Sequence, residues 1–253
     1  MTSESAKLKK HELKYYGRNA CLAVFKRRRA DIQRVYVSES ETKAFGLLLK
    51  WCAKEKLPYR VVPSAELEPI TASKHHEGIC VLAKRRPLLT EEDLTKKLAG
   101  GALNGPIVYL DGVENPHNIG SILRTCAHFG VKLLMSEGLS PLPAAACRIA
   151  EGAAEYVQLA SIENVRQSFE RLKRSGYRIC ATTVKNGEPL YRIDFKPNTV
   201  FVLGSEGSGI SRPVAALADT LLTIPGSGEV ESLNVSSACA VILSEHFRRT
   251  WKS

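Results

Sequence analysis

Residues 199–211 read T-V-F-V-L-G-S-E-G-S-G-I-S, and residues 221–243 read L-L-T-I-P-G-S-G-E-V-E-S-L-N-V-S-S-A-C-A-V-I-L. Two short apolar runs, Val200 to Leu203 and Leu221 to Ile224, each stop in a glycine-bearing loop. The second loop leads into a small-residue segment with helical potential that extends from about Leu233 to Trp251. A buried strand, a glycine loop and a helix in succession present backbone N–H groups to a cofactor in α/β enzymes.

Upstream of this stretch, apolar runs and amphipathic segments alternate. Strands are predicted at Ile107 to Asp111, Lys132 to Met135, Tyr156 to Leu159 and Tyr177 to Val184. Between them, helices are predicted over Asn118 to Phe129, Ala144 to Glu151 and Asn164 to Ser175. Apolar runs separated by helices imply a mainly parallel sheet covered on both faces. A second, shorter alternation precedes it: helix Arg18 to Arg28, strand Arg34 to Ser38, helix Thr42 to Lys54, strand Tyr59 to Val62, a helical turn at Ala65 to Ile70 and strand Gly78 to Ala83. The expected organisation is a flexible basic arm over 1–14, a small α/β domain over 15–86, a linker over 87–105 holding one short helix capped by Thr90, and a larger α/β domain over 106–253.

The charge distribution follows the same division. Of a net +10, residues 1–86 hold 19 Lys/Arg against 9 Asp/Glu, while residues 87–253 hold 17 of each. Basic charge gathered in one domain suits phosphate contact, and Lys26, Arg27, Arg28 and Arg29 form its densest run. Tyr15, Tyr16, Tyr36 and Tyr59 interleave with these charges and read mostly as core tyrosines. The seven cysteines are scattered without a C-x-x-C pair, which argues against structural zinc or disulfides and for reduced, buried thiols. No apolar run approaches the length of a bilayer span, and the start of the chain lacks an apolar signal core, so a cytoplasmic protein is expected.

Three polar clusters follow predicted strand ends, where open parallel sheets bind ligands. They are D-G-V-E-N-P-H-N-I-G-S-I-L-R (111–124), G-S-E-G-S-G (204–209) and P-G-S-G-E-V-E-S-L-N-V-S (225–236). The second is neither G-x-G-x-x-G nor a P-loop, since it lacks the lysine. His117 and His128 have no second ligand at a matching spacing, so no metal is expected.

In order and spacing the three clusters resemble the signature motifs of the SpoU (TrmH-like) branch of the SPOUT methyltransferases. The first matches N-x-G-x-x-x-R at Asn118, Gly120 and Arg124; the second places Glu206 between glycines; the third is I-P-G…S-L-N-V-S-S-A. The resemblance covers essentially all of Pro106 to Trp251, and residues 15–86 resemble the substrate-binding domain that precedes this module in many relatives. It implies an α/β fold with a C-terminal trefoil knot, S-adenosylmethionine as cofactor, methyl transfer to a ribose 2′-hydroxyl of tRNA or rRNA, and a homodimer whose interface helps build the site.

By motif position, the resemblance places Leu203, Gly204, Ile224, Pro225 and Leu233 at the cofactor, with Thr183 nearby. It makes Arg124 the catalytic candidate. A guanidinium is a poor base, so binding the adjacent phosphate and stabilising the developing alkoxide is the role its chemistry suits. Asn118 is expected to orient Arg124 or the ribose, Glu206 to pair with Arg124, and Ser232 and Asn234 to complete the polar shell. Asn234 has a second reading as the cap of the last helix.

Three rival readings stand beside this one. A non-catalytic RNA-binding member of the fold would fail to bind S-adenosylmethionine. A base-directed SPOUT methyltransferase would leave the neighbouring phosphodiester open to alkaline cleavage. A nicotinamide-dependent oxidoreductase would need the dinucleotide fingerprint that the chain lacks.

Overall fold

The computed structural model describes residues 11–251. The chain divides into two compact units, one holding the described residues through Arg86 together with Pro141–Glu155, the other Pro87–Ser140 together with the described chain from Tyr156 onward.

In the first unit, strands β1 (Glu12–Tyr16), β2 (Ile32–Ser38), β3 (Tyr59–Val62) and β4 (Ile79–Lys84) form a sheet in the order β1-β4-β2-β3. β4 runs antiparallel to β1 and β2, and β3 parallel to β2. The expected basic arm over 1–14 is corrected here: its first ten residues lie outside the described chain, and Glu12 to Lys14 belong to β1. The reason is period-two alternation, with Leu13 and Tyr15 buried and Lys14 exposed. Tyr16 is buried too, Tyr36 half-buried and Tyr59 exposed. The Arg18–Arg28 helix buries Ala20, Cys21 and Val24 of its expected apolar side and Ala23 besides, while Phe25 is half-buried. The next helix starts at Gly46 rather than Thr42, because Glu39–Glu41 forms a tighter turn before it.

Residues 141–155, read from sequence as part of the 106–253 domain, pack with this first unit. The short Ala144–Ile149 helix lies against β1. Arg28 forms a two-pronged ion pair with Glu155, Nε to Oε2 at 2.7 Å and Nη2 to Oε1 at 3.0 Å. A link between residues so far apart in sequence leaves no local signature.

The second unit is built on β5 (Ile107–Asp111), β6 (Leu133–Glu137), β7 (Gln158–Ile162), β8 (Arg178–Thr182), β9 (Glu188–Pro189), β10 (Thr199–Gly204) and β11 (Thr220–Thr223). The sheet order is β7-β6-β5-β10-β8-β11-β9, with every neighbouring pair parallel. Val200 to Leu203 are buried, as a central strand covered on both faces requires. The two-residue β9 is too short to leave a periodic signal.

The expected linker is also integrated into this unit. Leu89 donates to the Leu159 carbonyl and accepts from Ser161 N–H, at 2.8 and 3.0 Å. The Glu91–Ala99 helix starts from a capping box between Thr90 and Asp93 and buries Leu94 in the core. All seven cysteines are free and buried, and burial pushes the Cys80 thiol up to about 12. Among the described residues no helix is long and apolar enough to cross a membrane, and no His/Cys/Asp/Glu group could hold a metal ion.

Candidate active site

The carboxyl ends of β5, β8, β10 and β11 carry the loops of interest. Asn115 starts the Pro116–His128 helix by accepting from His117 N–H at 2.9 Å, and proline fits its first turn. This helix packs Ile119, Ile122, Leu123 and Cys126 inward and buries Asn118 near its start.

At the end of β10 the chain folds back on itself. Ser205 and Gly209 exchange backbone hydrogen bonds, N–H to O, at 3.2 and 2.9 Å. A Cβ at Gly204 would lie 2.1 Å from the Gly209 carbonyl carbon and 2.3 Å from Ile210 N, so only glycine fits there. A similar crowding holds the loop after β8 against β11. Gly187 N–H donates to Thr223 Oγ1 at 3.2 Å, Thr223 Oγ1 donates to the Thr183 carbonyl at 3.0 Å, and Thr183 N–H donates to the Leu222 carbonyl at 2.8 Å. Gly187 is a position that sequence reasoning missed, although its Asn186-Gly187 dipeptide is a turn signal.

Side chains from all three clusters meet in one hydrogen-bonded triangle. Glu206 Oε1 accepts from Asn118 Nδ2 at 3.1 Å and from Asn234 Nδ2. Asn234 Nδ2 also donates to Asn118 Oδ1 at 3.1 Å. The Asn234 side-chain oxygen Oδ1 caps the Val235–Thr250 helix, accepting from Ser236 N–H at 2.9 Å and Ser237 N–H at 3.4 Å. Asn234 therefore caps the helix with one end of its side-chain amide and bonds Asn118 and Glu206 with the other.

The expected pairing of Glu206 with Arg124 is corrected. Glu206 bonds the two asparagine amides, and the exposed Arg124 side chain makes no ion pair or hydrogen bond among the described residues. Asn118 likewise engages Glu206 and Asn234 rather than Arg124. Six residues separate Asn118 from Arg124, about 9 Å along the helix axis.

The expected cofactor residues divide by exposure. Leu203 is buried in the strand, Gly204 and Ile224 are half-buried, and Pro225, Ser232 and Leu233 are exposed, Leu233 at 45%. The Thr183 hydroxyl is turned to its own loop, donating to the Lys185 carbonyl at 2.9 Å. Val230 and Leu233 on the 225–234 loop are exposed apolar side chains.

The basic run of the first unit is corrected as well. Lys26, Arg27 and Arg29 are exposed, but the Arg28 side chain is only 13% exposed. Besides Glu155, Arg28 donates to the Lys84 carbonyl at 2.6 Å and stacks over the Tyr15 ring at 5.0 Å. It is a structural arginine.

Comparison with known proteins bears on this geometry. The family described as SpoU rRNA Methylase matches residues 105–244, and the one described as RNA 2′-O ribose methyltransferase substrate binding matches residues 15–88. The tRNA/rRNA methyltransferase YfiF of Escherichia coli O157:H7, itself uncharacterized, is 35% identical over 94% of this chain and 68% of its own. The 23S rRNA (guanosine-2′-O-)-methyltransferase RlmB of Bordetella pertussis is 30% identical over 92% of this chain and 96% of its own. Among solved structures, an AdoMet-bound rRNA methyltransferase from Sinorhizobium meliloti shares the fold, with a TM-score of 0.78 at 19% identity, covering 99% of this chain and 92% of that one. With three motif clusters joined in one hydrogen-bonded site and a family match over more than half its length, the chain belongs to the SpoU methylase family.

Proposed function

We propose that this protein transfers a methyl group from S-adenosylmethionine to a ribose 2′-hydroxyl of structured RNA, ribosomal or transfer, and works as a homodimer. The observation that carries the reading is the Asn118–Glu206–Asn234 triangle, which locks the three motif loops together, with an exposed Arg124 further along the Asn118 helix. The bound cofactor supplies an electrophilic methyl group on a positively charged sulfur.

The chain's own residues then have to position the acceptor and stabilise charge. Methyl transfer by in-line displacement depends mainly on positioning. The triangle fixes the Gly204–Gly209 turn and the start of the last helix relative to Asn118. Gly204, Ile224, Pro225 and Leu233 bind the cofactor, largely through backbone groups and apolar contact, with Leu203 and Thr183 supporting them from the strand end and the adjoining loop. Arg124 presents a planar guanidinium without a competing carboxylate, suited to a backbone phosphate and to the developing alkoxide. Both amides bond Glu206 through Oε1, which leaves Oε2 for a donor from the substrate. Ser232, exposed on the same loop, completes the polar shell.

The homodimer reading is supported by an aromatic row across two helices. Phe129 and Phe247 lie 5.8 Å apart, and Phe247 stacks on Trp251 at 5.6 Å and 17°. Phe247 and Trp251 are 37% and 64% exposed, and an exposed aromatic patch favours association. In the first unit, Lys26, Arg27 and Arg29 are proposed to contact RNA phosphates, while Arg28 does not.

The test is methylation of RNA taken from cells lacking the protein, with labelled cofactor. Label at a linkage that resists alkaline cleavage supports ribose methylation. Label on a base, or no transfer despite cofactor binding, overturns it in favour of the base-directed or the non-catalytic reading.

A further inference from the structure

The first unit carries a basic surface that the helix-end run does not account for. In antiparallel and parallel ladders, residues directly opposite one another point to the same face. Lys14 pairs with Leu82, Leu82 with Arg34, Cys80 with Tyr36, and Tyr36 with Arg60. Two residues along the strand from Leu82, Lys84 returns to that face, as does Glu12 opposite it. One side of the sheet therefore bears Lys14, Arg34, Arg60 and Lys84 around Leu82 and Tyr36.

Only part of this face is covered. The Ser64–Thr71 helix packs over one half, where Leu67 and Ile70 meet Cys80, Val62 and Tyr36 in a small apolar cluster. Lys14 Nζ donates to the Ile70 carbonyl at 2.7 Å, which marks the edge of the covered region. Beyond it burial falls away along β4: Cys80 is buried, Leu82 half-buried and Lys84 exposed. Arg34 and Arg60 are exposed, and Arg34 Nη1 donates to Tyr36 Oη at 3.3 Å, spreading the guanidinium beside the ring.

Four cations stand on these strands against one carboxylate, Glu12; Glu66 and Glu68 are exposed on the covering helix. An open sheet face with a half-buried leucine at its centre, a half-buried tyrosine at its margin and cations around them combines phosphate contacts with a surface for an unpaired base.

The geometry points to this open half-face, Lys14, Arg34, Arg60 and Lys84 around Leu82 with half-buried Tyr36 at its margin, as an RNA-docking surface of the first unit, separate from the Lys26–Arg29 helix end. This rests on the reading that the substrate is RNA. Phosphates lie against the four cations, and a nucleobase lies on Tyr36 and Leu82.

The test uses the full chain, with bulk ribosomal RNA and bulk transfer RNA as probes and salt varied between about 50 and 200 mM. Reversing the two exposed arginines (R34E/R60E) is expected to weaken RNA binding by about tenfold or more and to flatten the log–log salt dependence by about 1.5, two phosphate contacts' worth. The neutral pair R34Q/R60Q, which keeps the side-chain length, is expected to show the same flattening with a smaller loss of affinity. Melting temperature and S-adenosylmethionine binding should stay at wild-type values in both. If RNA affinity and salt slope match wild type in both, the surface is overturned while the methyltransferase reading stands. If reversal abolishes binding to phosphatidylglycerol vesicles and spares RNA, the face is a membrane surface and the proposal is likewise overturned. If the wild-type chain binds neither RNA, both this surface and the substrate reading fall together.

Discussion

Arg28 ends the Arg18–Arg28 helix, and Arg124 lies on the outer side of the Pro116–His128 helix. From sequence both read as contacts to RNA. In the structure Arg28 is withdrawn into an ion pair with Glu155, whose side chain is 3% exposed, while Arg124 faces solvent with no partner among the described residues. The difference lies in the surroundings rather than in the residue. Arg28 has its carboxylate already in the fold, whereas Arg124, proposed to meet an RNA phosphate, has none among the described residues.

Truncating each arginine should give opposite signatures. Arg28→Ala leaves Glu155 buried without its partner and should destabilise the protein by about 3–5 kcal/mol, read by denaturant unfolding. Arg124→Ala should leave stability unchanged and lower kcat by about 10²–10³-fold, with S-adenosylmethionine affinity retained. An unfolding midpoint that moves with Arg124 rather than Arg28 would break the comparison.

Smaller effects sharpen it. Asn234→Ala removes a helix cap and should cost about 1 kcal/mol of stability. It also opens the triangle with Asn118 and Glu206, so cofactor titration should weaken as well, which cap loss alone would not produce. Lys26→Ala with Arg29→Ala, both exposed, should change stability by less than about 0.5 kcal/mol. At the far end of the last helix, hydrogen bonding from Arg248, then Arg249, pulls the Glu245 carboxyl down to about 2. A depressed carboxyl stabilises above its unfolded pKa and loses that contribution as pH falls towards 2. Glu245→Gln should therefore reduce the acid dependence of unfolding between about pH 4.5 and 2 without altering it near neutrality.

Much of the fold was legible because it is local. The V-F-V-L run predicts a central strand, the i, i+4 pattern of Arg18 to Arg28 predicts its helix, and the structure holds both. Three features were not legible, each for a physical reason. β1 was hidden by its lysine-rich flank, although Leu13 and Tyr15 alternate correctly. Residues 87–105 read as a linker because Gly and Pro dominate their end, while the backbone bonds of Leu89 to the strand at 158–162 are long-range. Residues 141–155 join the first unit through Arg28 and Glu155, a pairing that no window of sequence contains.

At the site, the family resemblance assigned Asn118, Glu206 and Asn234 to one polar shell, and the structure brings all three within hydrogen-bonding distance of one another. The partners within that cluster were not legible. Charge complementarity suggested Glu206 with Arg124, but amide donors on two other loops meet the carboxylate. Gly187 escaped notice because its constraint is the approach of Thr223 and Leu222, thirty-five or so residues on.

The most direct test of the account is single-turnover methyl transfer by wild type and Arg124→Ala, using RNA from cells lacking the protein. The product is read as alkali-resistant linkages, and S-adenosylmethionine binding is measured in parallel. The expected result is ribose methylation by wild type and a loss of transfer in the variant at unchanged cofactor affinity. Equal transfer by both proteins, or label recovered only on a base, would contradict it.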